Sequence, residues 1–428
     1  MREMKDSGIE WIGEIPVNWS ASKIGNLYSL RNTKVSDRDY PPLSVTNKGI
    51  LPQLETAAKS NAHDDRKLVR KGDFAINSRS DRRGSCGISP YTGSVSLINT
   101  ILRPMREMFP KYYDWLFHTI QFGDEFYKWG HGIVDDLWTT GWQDMKKITI
   151  PTAPLPEQKS IADFLDSKCS EIDGLISDIQ KQITTLEEYK RSVITESVTK
   201  GLNPDAEMKD SGVEWIGEIP KMWDYSRLGY ESYIRARLGW KGLKADEYVP
   251  EGYAFISAFN IQNNKLVWEP LNYITEERYN ESPEIKLSVG DVIIVKDGAG
   301  VGKCARIDEL PLGGTAPNSS IGVITPFEKL EYRYLSYYLQ SAIFGNFVMK
   351  LLNGMGVPHL TQEMLGNINI LIPPKNEQVE IADYLDEKIF EIDECISAKQ
   401  EQLSVLEDYK KSLIYEYVTG KKEVYVNE

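Results

Sequence analysis

Apolar residues recur at alternating steps of three and four along two long stretches of this chain. In residues 157–199 one seam holds Leu165, Ile172, Ile179, Leu186 and Val193, and the other holds Cys169, Ile176 and Ile183. Residues 377–419 repeat the arrangement with Leu385, Ile392, Leu406 and Leu413 beside Ile389, Ile396 and Leu403, interrupted by Lys399. Sustained heptads with Glu, Lys and Asp on the other faces predict coiled-coil helices. Pro154 and Pro156 precede or open the first stretch, and Pro373 and Pro374 the second, where proline is tolerated. Gly201 and Gly420 stand where each would end. About 40 residues rising 1.5 Å each make a rod of about 60 Å. Neither rod can bury its own stripe, so the other copy is the expected partner. Packing of each rod on its own neighbouring domain is the alternative, and periodicity leaves parallel and antiparallel pairing open.

Elsewhere the pattern shortens to strands and turns. Lys67–Asn77 and Ile285–Val295 each place a Gly-Asp turn before an apolar run, followed by the polar loops 78–85 and 296–303. Gly93–Pro104 and Gly314–Pro326 supply a further strand each, and aromatic helices are predicted around Tyr112–Phe122 and Tyr332–Phe344. The two segments thus share a mixed α/β skeleton and differ in their loops, as two specificities on a common fold would.

The skeleton is set in a duplicated frame. Residues 4–19 return at 208–223 with 13 of 16 positions identical, and Glu157–Thr199 aligns with Glu377–Thr419 at 24 of 43. The repeated Trp-Ile-Gly-Glu-Ile-Pro block, with Trp11, Ile12, Ile15, Trp19 and their copies Trp215, Ile216, Ile219, Trp223, reads as a packing joint. Stacking on bases is the alternative. Joining the chain ends would recreate the central block, so the termini are expected near each other.

Charge separates frame from inserts. The total is −13, yet segment 20–147 carries +5 and segment 224–367 carries −3, leaving −15 on the frame. Lys59–Arg83 holds eight basic and four acidic residues, and Arg227–Lys244 five and one. Polyphosphate contact is therefore expected on the inserts and disfavoured along the frame. The scattered Cys86, Cys169, Cys304 and Cys395 read as free thiols of a cytoplasmic protein, and the dispersed histidines offer no metal spacing. No apolar run is long enough for a membrane span.

Catalytic motifs are absent. Gly298–Lys303 fails the phosphate-loop spacing, with Asp297 in place of the first glycine and Cys304 in place of the Mg²⁺-binding hydroxyl. Tyr40-Pro-Pro-Leu43 and Ile372-Pro-Pro-Lys375 lack the acid or amide of an adenine methyltransferase. The chain reads as a non-enzyme. The residues expected to meet DNA are Asn77, Ser78, Arg79, Arg82 and Arg83 in the first insert. In the second they are Lys296, Lys303, Asn318 and Ser319, with Arg235, Arg237 and Lys241 as phosphate partners.

Glu14-Ile-Pro-x-x-Trp19 with its copy, Pro156-Glu-Gln158 leading into Ile161-Ala-Asp-Phe-Leu-Asp166, and Asn376-Glu-Gln378 leading into Ile381-Ala-Asp-Tyr-Leu-Asp386 form a specific set. With Leu43-Ser-Val-Thr46, Arg237-Leu-Gly-Trp-Lys-Gly-Leu243 and His359-Leu-Thr-Gln362, they resemble the specificity subunits of type I restriction–modification systems over essentially the whole chain. The resemblance implies an α+β fold. Two mixed α/β target recognition domains would be separated by a pair of long antiparallel coiled-coil helices, as a pseudo-two-fold tandem repeat. The implied boundaries are 1–19 for the N-terminal frame motif, 20–150 for the first recognition domain, 151–223 for the central helix and linker, 224–370 for the second recognition domain, and 371–428 for the C-terminal helix. Each domain would read half of an interrupted site on double-stranded DNA, with half-sites about 34 Å apart. The helices would set the gap and dock two modification subunits, joined by restriction subunits. S-adenosylmethionine, ATP and magnesium would belong to those partners, and none to this chain. A non-DNA coiled-coil adaptor with two recognition domains is the competing reading.

Overall fold

A computed structural model describes residues 2–424 except 54–62, 80–83, 133–137, 214–215, 238–242, 244, 299, 312 and 353–358. Trp215 lies outside the described residues. Two compact units divide the chain: residues 1–180 with 401–428, and residues 181–400.

In the first unit β1 (Tyr28–Leu30), β2 (Phe74–Asn77), β3 (Cys86–Ile88) and β4 (Asn99–Pro104) form an antiparallel sheet in the order β3-β2-β4-β1. The apolar run of β2 is a strand buried on both faces. Phe74 and Ile76 join a core with Tyr112, Tyr113, Leu116 and Phe117 of helix α1 (Pro110–Phe117). Ala75, between them, faces a smaller cluster with Leu43, Ile50, Val69, Val95 and Ile101. Helix α2 (Leu155–Lys200) follows unbroken, its first half belonging to this unit.

The second unit repeats the plan. Strands β5 (Ser232–Arg235), β6 (Val292–Val295), β7 (Cys304–Arg306) and β8 (Ile321–Pro326) run in the order β5-β8-β6-β7. Val292 and Ile294 face α3 (Tyr332–Gln340), and Ile293 and Val295 face a separate cluster around Ile256, Ile307 and Val323. Helix α4 (Lys375–Val418) starts here and ends in the first unit.

The predicted aromatic helices are each two helices. Thr119 Oγ1 accepts from Phe122 N at 3.2 Å and Ser341 Oγ from Phe344 N at 3.4 Å. These N-caps start a second helix at Ile120 and at Ala342, so the hydrophobic run continues while the axis breaks.

Side-chain pairings settle the direction of the long helices. In the first unit the rings of Phe164 and Tyr417 lie 4.4 Å apart, and Lys410 Nζ reaches Asp173 at 2.6 Å. In the second unit Lys190 meets Asp393 at 2.5 Å, while Tyr334 OH donates to the carbonyls of Val198 and Leu371. As one helix advances the other retreats, so both segments pair antiparallel. Leu165, Cys169, Ile172, Leu385, Ile389 and Ile392 are buried against the domains, whereas Ile176, Ile183, Leu186 and Leu403 are half-buried. A two-helix pair covers only one side of its seam. Where the sheet and short helices of each unit add cover, burial is complete.

The duplicated blocks are joints. Trp19 is buried and donates from Nε1 to Glu157 at 2.6 Å, and Trp223 is equally buried in the second unit. Gln158 Oε1 accepts from Phe109 N at 2.8 Å and its amide donates to Ala153 O at 2.8 Å. Gln378 does the same for Glu331 N and Pro373 O. A buried amide thus satisfies the orphan N–H at the start of α1 or α3 and ties it to the long helix. Tyr415 OH donates to Trp11 O at 2.9 Å, which brings the two chain ends together within the first unit.

Candidate nucleic-acid interface

The loops leaving β2 and β6 are built on one hydrogen-bond pattern. Asn77 N donates to Ser85 O and Val295 N to Lys303 O, both at 2.8 Å. Ser78 N then donates to Ile98 O at 3.3 Å, and Thr140 N to Ser78 O at 3.0 Å. In the second unit Lys296 N donates to Ser320 O and Leu360 N to Lys296 O, each at 2.8 Å. The next residue in each case makes an antiparallel bridge, Arg79 with Thr139 and Asp297 with His359. Both units therefore present the same rim: a loop after the central strand, the turn before the next strand, and a short segment from beyond the aromatic helices.

Several of the expected contact residues lie on this rim. Arg79, Lys303 and Ser319 are exposed, and Asn318 is half-buried, its Oδ1 holding the turn by accepting from Ser320 N and Oγ. Lys296 is largely covered, and its ammonium meets Asp297 at 2.9 Å. Arg82, Arg83 and Lys241 lie outside the described residues.

Four expected contacts are corrected by their surroundings. Asn77 and Ser78 are buried: Asn77 Oδ1 accepts from Arg79 N at 3.0 Å, and Ser78 Oγ pairs with Thr100 Oγ1 at 2.9 Å. They shape the loop and do not face solvent. Arg235 is consumed inside its domain. Its Nη2 meets Asp291 at 2.8 Å and Lys286 O at 3.2 Å, and Nη1 donates to Thr325 Oγ1. Arg237 has a side chain only 3% exposed, with Nη2 at 3.6 Å from Glu281. Neither guanidinium is placed to reach a phosphate. The basic island of the first insert is partly structural too, since Arg66 donates to Ser94 and Lys67 to Asn99 O.

The Arg235–Asp291 pair is one copy of a duplicated clamp. Arg31 pairs with Asp73 through Nε at 2.6 Å and Nη2 at 3.0 Å. Asp73 also accepts from Arg70 N, and Asp291 from Ser288 N, both at 2.8 Å. Each carboxylate belongs to the Gly-Asp turn read from the sequence. The signal was present, since each arginine stands twelve positions after Trp19 or Trp223.

Electrostatically the second rim centres on Asp297. Burial raises its carboxyl, but hydrogen bonds from Lys296 and His359 outweigh that and hold it below its ordinary value. Asp297 and His359 were not among the expected contacts. The thiols play no part here: Cys86 and Cys304 are buried beneath α1 and α3, with burial raising Cys304 to about 12. Among the described residues no cluster of His, Cys, Asp and Glu could hold a metal, and no helix is long and apolar enough to cross a membrane.

Two units of one plan, with matching rims and buried joints, define a tandem-repeat protein. Residues 239–407 match the family described as the type I restriction modification DNA specificity domain. The chain is 29% identical over 282 residues to the type I restriction enzyme MjaVIII specificity subunit of Methanocaldococcus jannaschii, covering 65% of this chain and 63% of that relative. The match thus spans less than two thirds of the relative's length. A chain from a solved type I R-M system, described for its complex assembly and conformational transition, superimposes with a TM-score of 0.72 at 16% identity, covering 95% of this chain and 99% of that one. The HsdS subunit of Thermoanaerobacter tengcongensis gives 0.50 at 18% identity, covering 95% and 98%. At those identities the solved structures speak for the fold alone. The chain is thus similar in sequence to a type I restriction enzyme specificity subunit over 65% of its length, and similar in fold to chains of type I R-M systems.

Proposed function

We propose that this chain is the DNA sequence-recognition subunit of a type I restriction–modification complex, each unit reading one half of an interrupted duplex site. The observation that carries the reading is the rim shared by both units: one backbone pattern, with Arg79 and Thr139 in one and Asp297 and His359 in the other. A constant scaffold with exchanged side chains at an exposed edge is what two different base sequences require. The long antiparallel helices set the separation of the half-sites. Their acidic outer faces are docking surfaces for two modification subunits, and restriction subunits complete the assembly in the cytoplasm. This chain does no chemistry; S-adenosylmethionine, ATP and magnesium are held by the partners.

The test is co-expression with a modification subunit, followed by mapping of methylated adenines. A bipartite motif with a fixed gap is the expected result. Methylation without sequence preference, or with only one recognised half, would sink the reading. Charge reversals along the helix faces should abolish co-purification, and retention after several reversals removes the docking assignment.

A further inference from the structure

Resting on that reading, we propose that His359 reads a base in the half-site of the second unit through its Nε2, with Asp297 as its positioning residue. His359 Nδ1 is hydrogen-bonded to the Asp297 carboxylate, whose other oxygen takes Lys296 Nζ at 2.9 Å. A carboxylate held in its ionised form by two donors can only accept, so the imidazole proton sits on Nδ1. In the neutral imidazole Nε2 is then the lone-pair end. The His359 side chain is 49% exposed, and its neighbours on the rim are the loop after β6 and the 318–320 turn.

Such a pair has two possible purposes, stability or reading. Stability is the weaker account. The Asp297–His359 bridge is already fixed through the backbone, and the first unit makes the same bridge with Arg79 and Thr139. A polar side-chain pair this exposed adds little to stability. What differs between the units is the hydrogen-bond sense offered at one backbone position. Arg79 is a donor-only fork that suits guanine N7 and O6. The oriented imidazole offers an acceptor, which suits the exocyclic amine of adenine N6 or cytosine N4 in the major groove. The second unit therefore favours an amino-bearing base at the position His359 meets, where the first unit's Arg79 favours guanine.

The experiment uses the full chain bound to its modification subunits and a library of randomised DNA duplexes. The wild type, His359→Ala, Asp297→Asn and the transplanted pair Asp297→Arg with His359→Thr are compared by sequencing the bound fraction. His359→Ala should cut discrimination at one position by about tenfold to hundredfold, with the other half-site, the salt slope and the melting temperature unchanged. Asp297→Asn should give a smaller loss at that same position, and the transplant should shift preference there towards guanine. A bound motif unaltered by His359→Ala overturns the proposal. So does an equal loss for all sequences with a lowered melting temperature, which marks a structural role. If the transplant fails to fold, the single surface substitutions still decide. A wild-type complex that selects no motif overturns the parent reading itself.

Discussion

Replacing Arg235 with methionine separates two roles that basic residues play in such a domain. The aliphatic stem is kept, the guanidinium is lost, and Asp291, 1% exposed, remains as a buried carboxylate. It would keep the Ser288 N–H and Thr325 hydroxyl donors but no cation. Breaking a buried pair by removing one partner costs about 3–5 kcal/mol, because the survivor's desolvation is no longer offset. Against a domain stability of about 5–15 kcal/mol, that loss is large. For a unit of roughly 200 residues it corresponds to a fall in melting temperature of about 10 °C. Calorimetry or circular dichroism melting of the full chain measures it. Asp291→Leu added to Arg235→Met should recover part of the loss, since no charge is then left buried. Arg79→Ala and Lys303→Ala should behave oppositely. Their stability should hold within about 0.5 kcal/mol, while Lys303→Ala lowers the slope of log affinity against log salt by about one and Arg79→Ala relaxes the base preference at one position. An Arg235→Met variant that melts within about 2 °C of wild type, yet gives up one unit of salt slope, would refute the clamp and restore Arg235 as a phosphate partner.

Three further outcomes follow from the joints and the acidic groups. Gln158→Leu and Gln378→Leu each orphan a buried backbone N–H and should cost about 1–3 kcal/mol, read as a lower denaturant midpoint. Gly420 sits at φ +75°, and a Cβ there would lie 2.5 Å from Pro16 Cδ. Gly420→Ala should therefore destabilise by about 1–2 kcal/mol or more, whereas Gly174→Ala, with nothing within 4 Å, should be neutral or slightly stabilising. Burial raises the Asp386 carboxyl, but hydrogen bonds from Tyr337, Arg306 and Arg333 outweigh it and hold it below its ordinary value. A carboxyl depressed by folding contributes stability above the unfolded value, about pH 4, and that stability is lost as pH falls through the folded value. Asp386→Asn should thus be less stable than wild type at pH 7 and lose less on acidification below about pH 4, as followed by melting across pH.

Repetition makes much of this protein legible in its sequence. The heptads, the bounding prolines and glycines, and the near-identity of residues 4–19 with 208–223 specify two long helices and a joint used twice. These are local or periodic signals, and a helix or cap declares itself within a few turns of chain. The Gly-Asp turns and the apolar strands after them are equally readable, because a strand buried on both faces needs an unbroken apolar run. The break within each aromatic helix is not, since Thr119 and Ser341 act as caps only where a turn competes successfully with helix propagation.

Charge is the property that sequence can count but cannot place. Arg235 and Arg79 are the same residue type in comparable basic islands. One is spent on Asp291, 56 positions away in the chain, and the other faces solvent. The direction of the long helices and the meeting of Asp297 with His359, 62 positions apart, are likewise decided only by folding. Such partners are joined by tertiary packing, and the energy of a charge depends on its partner and its solvent, neither of which is a local property of the chain. Sequence alone determined that two units of one plan share one frame. Which side chains each unit turns outward was settled by the fold.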